Sequence, residues 1–306
     1  MRTILTLAAL AFATAVPSSA HAVTILRDGD AYVIRAAPGE KNILSMRVDS
    51  FDTTEVSFSD RTSNPMSAHP ALGCEITRNG FGGFASCPVV GTGITTARLE
   101  AGDGDDELDI NPFDLPFSAP VTLDGGPGND DVEGPTTDLP VILRGGDGDD
   151  RVFGGQGADT ADGGAGNDTV DGGDGDDTVT GGAGDDVISG GRTFSTDVMD
   201  GGPGYDRVAN DWTDGDSIRV TLDGVADDGR PGENDNVLGV EAIETRRIAF
   251  LVAGADPVDF SVTNTPSGNS TLIGSPGNDK LRSGAYDDRI EGGAGADAIA
   301  AGGGND

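Results

Sequence analysis

Residues 145–189 read GGDGDDRVF GGQGADTAD GGAGNDTVD GGDGDDTVT GGAGDDVIS, which are five nine-residue units in tandem without a gap. Each unit follows the pattern Gly-Gly-x-Gly-x-Asp-x-apolar-x, and Ala161 is the weakest residue at the apolar position. A sequence that repeats at a fixed short period indicates a repeat architecture, in which every unit contributes the same structural element. This stretch therefore predicts the fold of the chain.

The nine-residue period predicts one tight turn and one short strand per unit. Glycines in the first six residues allow backbone angles that side chains forbid, and the last three residues form a strand with one apolar side chain facing inward. One unit cannot bury its apolar face alone, so the units must stack, and two units form one coil. Turns on the same edge then recur every eighteen residues, which stacks Asp150 with Asp168, Asp159 with Asp177, and Asp168 with Asp186.

Position six of each unit carries an aspartate, and stacked carboxylates repel one another unless a cation lies between them. Carboxylate oxygens and turn carbonyl oxygens together form an all-oxygen site, which favours a hard cation of flexible geometry, calcium, over zinc or copper. Several such ions are expected. The predicted ligands are Asp130, Asp150, Asp159, Asp168, Asp177, Asp186, Asp197, Asp206, Asp279, Asp288, Asp297 and Asp306. A two-residue insertion places Asp197 and Asp206 twenty residues after Asp177 and Asp186, which predicts a register slip there.

The array resembles the RTX or haemolysin-type calcium-binding repeat, whose nonapeptide it matches unit by unit. The resemblance implies an all-β fold, a right-handed parallel β-roll, with calcium between successive turns. It covers residues 99–209 and 272–306 by clear motif. The alternative is a disordered Gly/Asp-rich tract, because such a composition buries little apolar surface.

The chain divides into five predicted segments. Residues 1–22 read as a secretory signal peptide, with Arg2, a short apolar run and a small-x-small cleavage site ending at Ala22. An uncleaved anchor is the alternative for this segment, and no other stretch is expected to span a membrane. A β-rich N-terminal cap occupies 23–98, the β-roll 99–209 with its core array at 145–189, irregular β-coils 210–271, and a second array 272–306.

Residues 210–271 lack the motif but alternate in a way that predicts strands at 217–222, 237–243 and 247–252. The stretch 227–235 is rich in acidic residues, glycine and proline. We expect a solvated acidic loop there rather than an additional calcium site.

The two cysteines of the chain, Cys74 and Cys87, lie in the cap segment. In an exported protein a single disulfide is the simplest expectation, with two free thiols as the alternative. A metal site is disfavoured, because only His69 lies nearby.

Charge and composition restrict the partners. The chain has a formal net charge of -34, 50 glycines and only 5% aromatic residues. Such acidity repels nucleic acid and anionic membrane surfaces, and it suits a chain that meets divalent cations outside the cell.

No catalytic motif is present. The sequence has no Gly-x-Ser-x-Gly elbow, no His-Glu-x-x-His and no phosphate-binding Gly-x-x-x-x-Gly-Lys-Ser/Thr loop, so no catalytic residue is assigned. The leading hypothesis is a secreted calcium-binding β-roll with a structural or surface-interaction role and a cell-surface, glycan or protein partner. The alternatives are an extracellular adhesion or matrix module, and a hydrolase with an unrecognised site in 23–98 or 210–271.

Overall fold

The computed structural model describes most of the chain after residue 22. The described residues are 23–36, 38–39, 41–49, 52–62, 66–68, 70–79, 82–89, 92–111, 117, 119–191, 193–209, 217–245, 249–262 and 268–306. The predicted signal peptide and His69 lie outside them.

Within these residues the secondary structure is almost entirely β. The N-terminal segment contains β1 (Val23–Asp28), β2 (Ala31–Arg35), β3 (Ile43–Asp49), β4 (Asp52–Asp60), β5 (Met66–Ala68), a 3₁₀ turn (Pro70–Leu72), β6 (Glu75–Asn79) and β7 (Gly82–Pro88). The first array and its approach contain β8 (Thr96–Glu100), β9 (Glu107–Asn111), β10 (Val121–Pro127), β11 (Asp131–Glu133), β12 (Val141–Asp147), β13 (Arg151–Phe153), β14 (Thr160–Ala165), β15 (Thr169–Asp171), β16 (Thr178–Ala183), β17 (Val187–Ser189), β18 (Val198–Asp200) and β19 (Arg207–Val208). The remainder contains β20 (Ile218–Thr221), β21 (Asn236–Leu238), β22 (Ala242–Thr245), β23 (Ala249–Val252), β24 (Asp259–Val262), β25 (Thr271–Ile273), β26 (Lys280–Arg282), β27 (Arg289–Glu291) and β28 (Ala298–Ala300).

The chain winds as parallel stacked coils into a β-solenoid of about 9 turns, which confirms the predicted all-β parallel β-roll. Sheet A runs in the order β21-β18-β16-β14-β12-β10-β8-β2-β1-β5, and sheet B runs β28-β26-β24-β22-β19-β17-β15-β13-β11-β9-β3-β4-β7-β6. Through the array, successive strands alternate between the two sheets. Thr160 pairs with Thr178 in sheet A, and Thr169 pairs with Val187 in sheet B. Each coil therefore spans eighteen residues in the regular array, as the sequence predicts.

Within the regular array, one apolar side chain per strand fills the space between the two sheets. The inward row of sheet A consists of Leu123, Leu143, Ala161, Val179, Met199 and Val237, all almost completely buried. The facing row of sheet B consists of Leu108, Val132, Val152, Val170, Ile188, Val208, Ile243, Phe260 and Leu281. The core is thus one residue deep on each side, and the solenoid gains little hydrophobic stabilisation per coil.

The N-terminal segment continues both sheets of the solenoid. Strands β1 and β2 form an antiparallel hairpin, β2 then pairs in parallel with β8, and β3 pairs in parallel with β9. Its core is larger than that of the array, with the rings of Tyr32 and Phe58 in an edge contact at a centroid distance of 6.1 Å. The predicted disulfide joins Cys74 and Cys87 in this segment.

A third sheet begins with β20, in the part of the chain where the motif is absent. Sheet C runs β20-β23-β25-β27, and it takes over from sheet A, which ends at β21. The single strand predicted at 237–243 is wrong, because β21 and β22 are separate strands on different sheets. Gly239 lies between them with a φ of 56° and turns the chain from one sheet to the next. In the described part of the chain, no helix is long and apolar enough to cross a membrane.

Candidate metal centre

The position-six aspartates stack along one edge of the solenoid as a column. In each case the carboxylate Oδ1 accepts the backbone amide of the corresponding residue one coil earlier, at distances of 2.7–2.9 Å. This first column contains Asp106, Asp130, Asp150, Asp168, Asp186 and Asp206. The same bond recurs in the second array, where Oδ1 of Asp297 accepts the amide of Asp279 at 3.2 Å.

A second column lies on the opposite edge. Oδ1 of Asp159 accepts the amide of Val141 at 2.8 Å, and Asp177 and Asp197 repeat the bond at 2.8 and 3.0 Å. The two-residue insertion after Ser189 leaves the column intact, because the extra residues are accommodated within the turn before Asp197. The expected register slip is therefore wrong. A short third column, beside sheet C, joins Ser270, Asp288 and Asp306 through bonds of 2.7 and 2.9 Å.

The exposed side chains at position five form a second row, or ladder, of hydrogen bonds. These bonds run from one coil to the next in the direction opposite to those of position six. Where position five is Asp or Asn, its side chain accepts a backbone amide of the next coil, as in the bond from the Asn167 amide to Asp149 Oδ1 at 2.8 Å. Along the first edge the ladder alternates Asp105, Asn129, Asp149, Asn167 and Asp185. The alternation of charged and neutral side chains reduces repulsion between neighbours. Along the first edge, the two ladders together use the backbone amides of positions five and six.

The second carboxylate oxygen of the column has no partner in the protein. The Oδ2 atoms without a hydrogen bond, all buried, belong to Asp106, Asp130, Asp150, Asp159, Asp168, Asp177, Asp186, Asp206 and Asp288. The side chain of Asp60 in the N-terminal segment has the same property. Buried polar atoms are nearly always satisfied, so a row of unsatisfied carboxylate oxygens fits a cation site better than a packing defect.

The first glycine of each unit makes room for these oxygens. A Cβ added to Gly145 would lie 2.4 Å from Oδ2 of Asp150 and 2.6 Å from the carbonyl oxygen of Gly163 in the next coil. At Gly163 the corresponding distances are 2.6 Å to Asp168 Oδ2 and 2.5 Å to the carbonyl of Gly181. Only glycine lets a carboxylate and a carbonyl oxygen from successive coils face the same space. The donor set is entirely oxygen, which fits calcium.

Burial disfavours the ionised form of these carboxyl groups when no cation is bound. Loss of solvation raises the pKa of Asp159 and Asp168 to about 7 and that of Asp177 to about 8. For Asp168 and Asp177 the neighbouring carboxylates of the column raise the pKa further, against the amide hydrogen bond that lowers it. A bound cation reverses both effects, because it favours the charged form.

All twelve aspartates predicted as ligands accept a backbone amide from the preceding coil: ten lie in these three columns, and Asp279 and Asp297 repeat the bond in the second array. Their role as calcium ligands stays a prediction. Asp297 and Asp306 are the outermost members and are exposed or partly exposed. Among the described residues, no group of three or more His, Cys, Asp or Glu side chains converges as a metal cluster. A site built here must therefore draw on backbone carbonyls as well as on one or two carboxylates.

Three residues that belong to the columns were not among those predicted from the sequence. Asp106 precedes Asp130 in the first column, Glu241 accepts the amide of Asp206 at 2.8 Å, and Asp235 accepts the amide of Asp197 at 3.0 Å. The unit around Asp106 is visible in the sequence as Gly102-x-Gly104-x-Asp106, and Gly232 precedes Asp235 by three residues. Nothing in the local sequence marks Glu241.

The stretch 227–235 is not the solvated loop that its composition predicts. Asp228, Arg230, Glu233 and Asp235 are all buried, and both oxygens of Asp228 accept backbone amides, from Thr221 and Val237. The segment lies against the turn that precedes Asp197, through the hydrogen bond between Asp197 and Asp235. Contacts with the neighbouring coil therefore bury charged residues of a turn that, by its composition, was expected to be solvent-exposed.

These features define a class of protein, the parallel β-solenoid whose turns carry columns of buried carboxylates. The family model of the RTX calcium-binding nonapeptide repeat matches this chain in four copies, at residues 142–161, 162–196, 171–208 and 267–306. The chain therefore contains RTX calcium-binding repeats, and the resemblance seen in the sequence is confirmed. A comparison with curated proteins found no match.

Proposed function

We propose that this protein is a secreted calcium-binding β-roll that folds on binding calcium and serves a structural or surface-interaction role. The observation that carries the proposal is the row of buried Oδ2 atoms without partners in the first and second columns. The stacked coils leave Oδ2 of most column aspartates without a hydrogen-bond donor. Calcium bound between turns satisfies these oxygens and removes the repulsion between stacked carboxylates.

The thin core supports a calcium requirement for folding. Burying one small apolar side chain per unit contributes about 1.5–3 kcal/mol, whereas ordering nine residues costs about 1–2 kcal/mol for each backbone residue. At an affinity near 10⁻⁴ M, typical of extracellular calcium modules, roughly 2 mM calcium contributes about 1.8 kcal/mol per site. Several sites together therefore bias a marginal fold toward the ordered state.

Export is a further part of the proposal. The sequence at residues 1–22 has the form of a secretory signal. Cytosolic calcium lies far below the affinity of extracellular modules, so the chain stays unfolded inside and folds outside. Mass spectrometry of the secreted protein should find Val23 at the N-terminus, and secreted material that retains Met1 would contradict cleavage after Ala22.

A binding role is favoured over a catalytic one. The carboxylates that a hydrolase would need are spaced along the columns as metal ligands would be. Hydrogen bonds from backbone amides hold them in place there. An adhesion or matrix module is the second candidate, because a calcium-stiffened rod presents long, regular, charged faces. Binding to cell surfaces or glycan arrays separates this module from a purely structural role, and a hydrolase screen with and without calcium tests the remaining alternative.

Circular dichroism of residues 23–306 tests the folding proposal. The β spectrum should be incomplete in chelator and should develop with millimolar calcium. Magnesium is the matched control, since it demands a small octahedral site that flexible turns do not supply. A spectrum already complete in chelator, or an equal response to magnesium, would contradict the proposal.

A further inference from the structure

The second column changes its chemistry where sheet A ends. The turn that leads to Asp197 stacks on the turn that leads to Asp235, and the Asp197 amide donates to Asp235 Oδ1 at 3.0 Å. The first of these turns contains the insertion with Thr193, Phe194 and Ser195, and the second contains Arg230 and Glu233. Strand β21, which follows Asp235, is the last strand of sheet A.

A guanidinium group joins the two turns. The Arg230 side chain is only 2% exposed, and it donates through Nη2 to the carbonyl oxygen of Thr193 in the preceding turn at 2.8 Å. Its Nε and Nη2 atoms both lie 2.6 Å from Oε1 of Glu233 in its own turn. The guanidinium carbon also lies 4.2 Å from the ring centroid of Phe194, which covers it from solvent. A turn carbonyl and a carboxylate from successive coils are the groups that a calcium ion would otherwise bridge.

The carboxylate at this level is also satisfied within the protein. Oδ2 of Asp197 accepts the hydroxyl of Ser195 at 3.0 Å, whereas Oδ2 of Asp177, one coil earlier, and Oδ2 of Asp159, two coils earlier, have no hydrogen-bond partner. The insertion that lengthens the turn therefore supplies a donor that the regular turns lack. The residues around Asp197 do not fit a calcium ion as the regular turns do.

We propose that the positively charged guanidinium of Arg230, which is ion-paired with Glu233, takes the place of calcium between these two turns. Asp197 is then not a calcium ligand. The inference rests on the proposed function, because it concerns which levels of the column take an ion. Arginine suits the role, since it stays charged at all accessible pH values and presents donors in a planar fork. Sheet A thus ends in a closure that does not depend on calcium concentration, while the coils before it do.

Matched variants in the full mature chain test the proposal. Asp177→Asn and Asp197→Asn each remove one charge from neighbouring levels and keep the Oδ1 atom that accepts the preceding amide. Native mass spectrometry in calcium-containing buffer should count at least one ion fewer in Asp177→Asn and the wild-type number in Asp197→Asn. An equal loss in the two variants would overturn the proposal.

A measurement on the wild-type protein keeps the test independent of how the variants fold. In a crystal grown with calcium, anomalous scattering should show ions between the turns of Asp159 and Asp177. No peak is expected within about 2.6 Å of Asp197 Oδ2, the outer limit of calcium–oxygen distances. A peak there would overturn the inference and leave the proposed function standing, whereas a wild-type chain that binds no calcium at all would overturn both.

Discussion

Oδ1 of Asp168 accepts the backbone amide of Asp150 one coil earlier at 2.8 Å, while Oδ2 of the same carboxylate is buried and has no hydrogen-bond partner. One oxygen thus sets the register between coils, and the other receives no hydrogen bond from the protein. The division recurs through the first column and at Asp159 and Asp177 of the second. Under the proposed function, the structural and the calcium-binding roles therefore belong to different atoms of one side chain. Substitutions that keep Oδ1 but remove the charge separate the two roles.

Replacement of Asp168 by asparagine should weaken calcium binding without breaking the column. The amide of Asp150 keeps its acceptor, but the stacked turns of the central coils lose one negative charge. We expect the calcium affinity measured by calorimetric titration to fall by about tenfold, which corresponds to about 1.4 kcal/mol. The control is Asp306→Asn at the exposed end of the third column, where the fall should be less than about twofold. Equal losses would contradict the central role of Asp168.

The pH dependence of stability should reverse when calcium is added. Without calcium, burial holds the pKa of Asp168 at about 7 and that of Asp177 at about 8, far above the unfolded value of about 3.9. The folded coils then bind protons more tightly than the unfolded chain. Their stabilisation is full below about pH 4 and is lost as the pH rises through about 7 to 8.

With calcium the carboxylates must ionise to bind, so stability should rise with pH over the same window. Urea unfolding followed by circular dichroism at pH 5 and pH 8, in calcium-free buffer and in 2 mM calcium, measures both slopes. Without calcium, the β signal that remains before urea is added should be larger at pH 5 than at pH 8. With calcium, the urea midpoint should be higher at pH 8. The same direction in both buffers would contradict the assignment of the column carboxylates as ligands.

Removal of the disulfide should destabilise the N-terminal segment and spare the array. Cys74 and Cys87 are separated by 13 residues, and the loop-entropy estimate for such a bridge is about 3 kcal/mol. We therefore expect the double variant Cys74→Ala/Cys87→Ala to unfold this segment at lower urea concentration. The number of calcium ions counted by native mass spectrometry should stay at the wild-type value. A loss of ions would show that the arrays depend on the bridge.

Alanine at the fourth position of a unit should prevent the coils from stacking. Gly166 has a φ of 142°, and a Cβ there would lie 1.8 Å from the carbonyl oxygen of Gly148. Gly166→Ala should cost at least about 1–3 kcal/mol, since both the backbone angle and the neighbouring coil oppose it. The control is Asp147→Ala at position three, where Ala165 and Ala183 already stand. Thermal unfolding in calcium-containing buffer compares the two variants. Equal melting temperatures would refute the stacking geometry.

The sequence alone determined the regular part of the protein. In residues 145–189 the period fixes the turns, the inward residues and the eighteen-residue spacing, because each unit contacts only its neighbours and local pattern and stacking agree. The RTX class follows from the same residues. The single disulfide follows from the presence of only two cysteines.

The tertiary structure decided what happens where the period fails. Glu241 completes the first column and Asp235 the second, because parallel pairing of β22 with β19 and of β21 with β18 brings distant turns into register. Arg230 and Glu233 are charged residues that composition places in solvent, yet they are buried against Phe194 and Thr193 from the preceding coil. No local pattern predicts such contacts, because their partners lie some forty residues away in sequence and meet only after the coils have stacked.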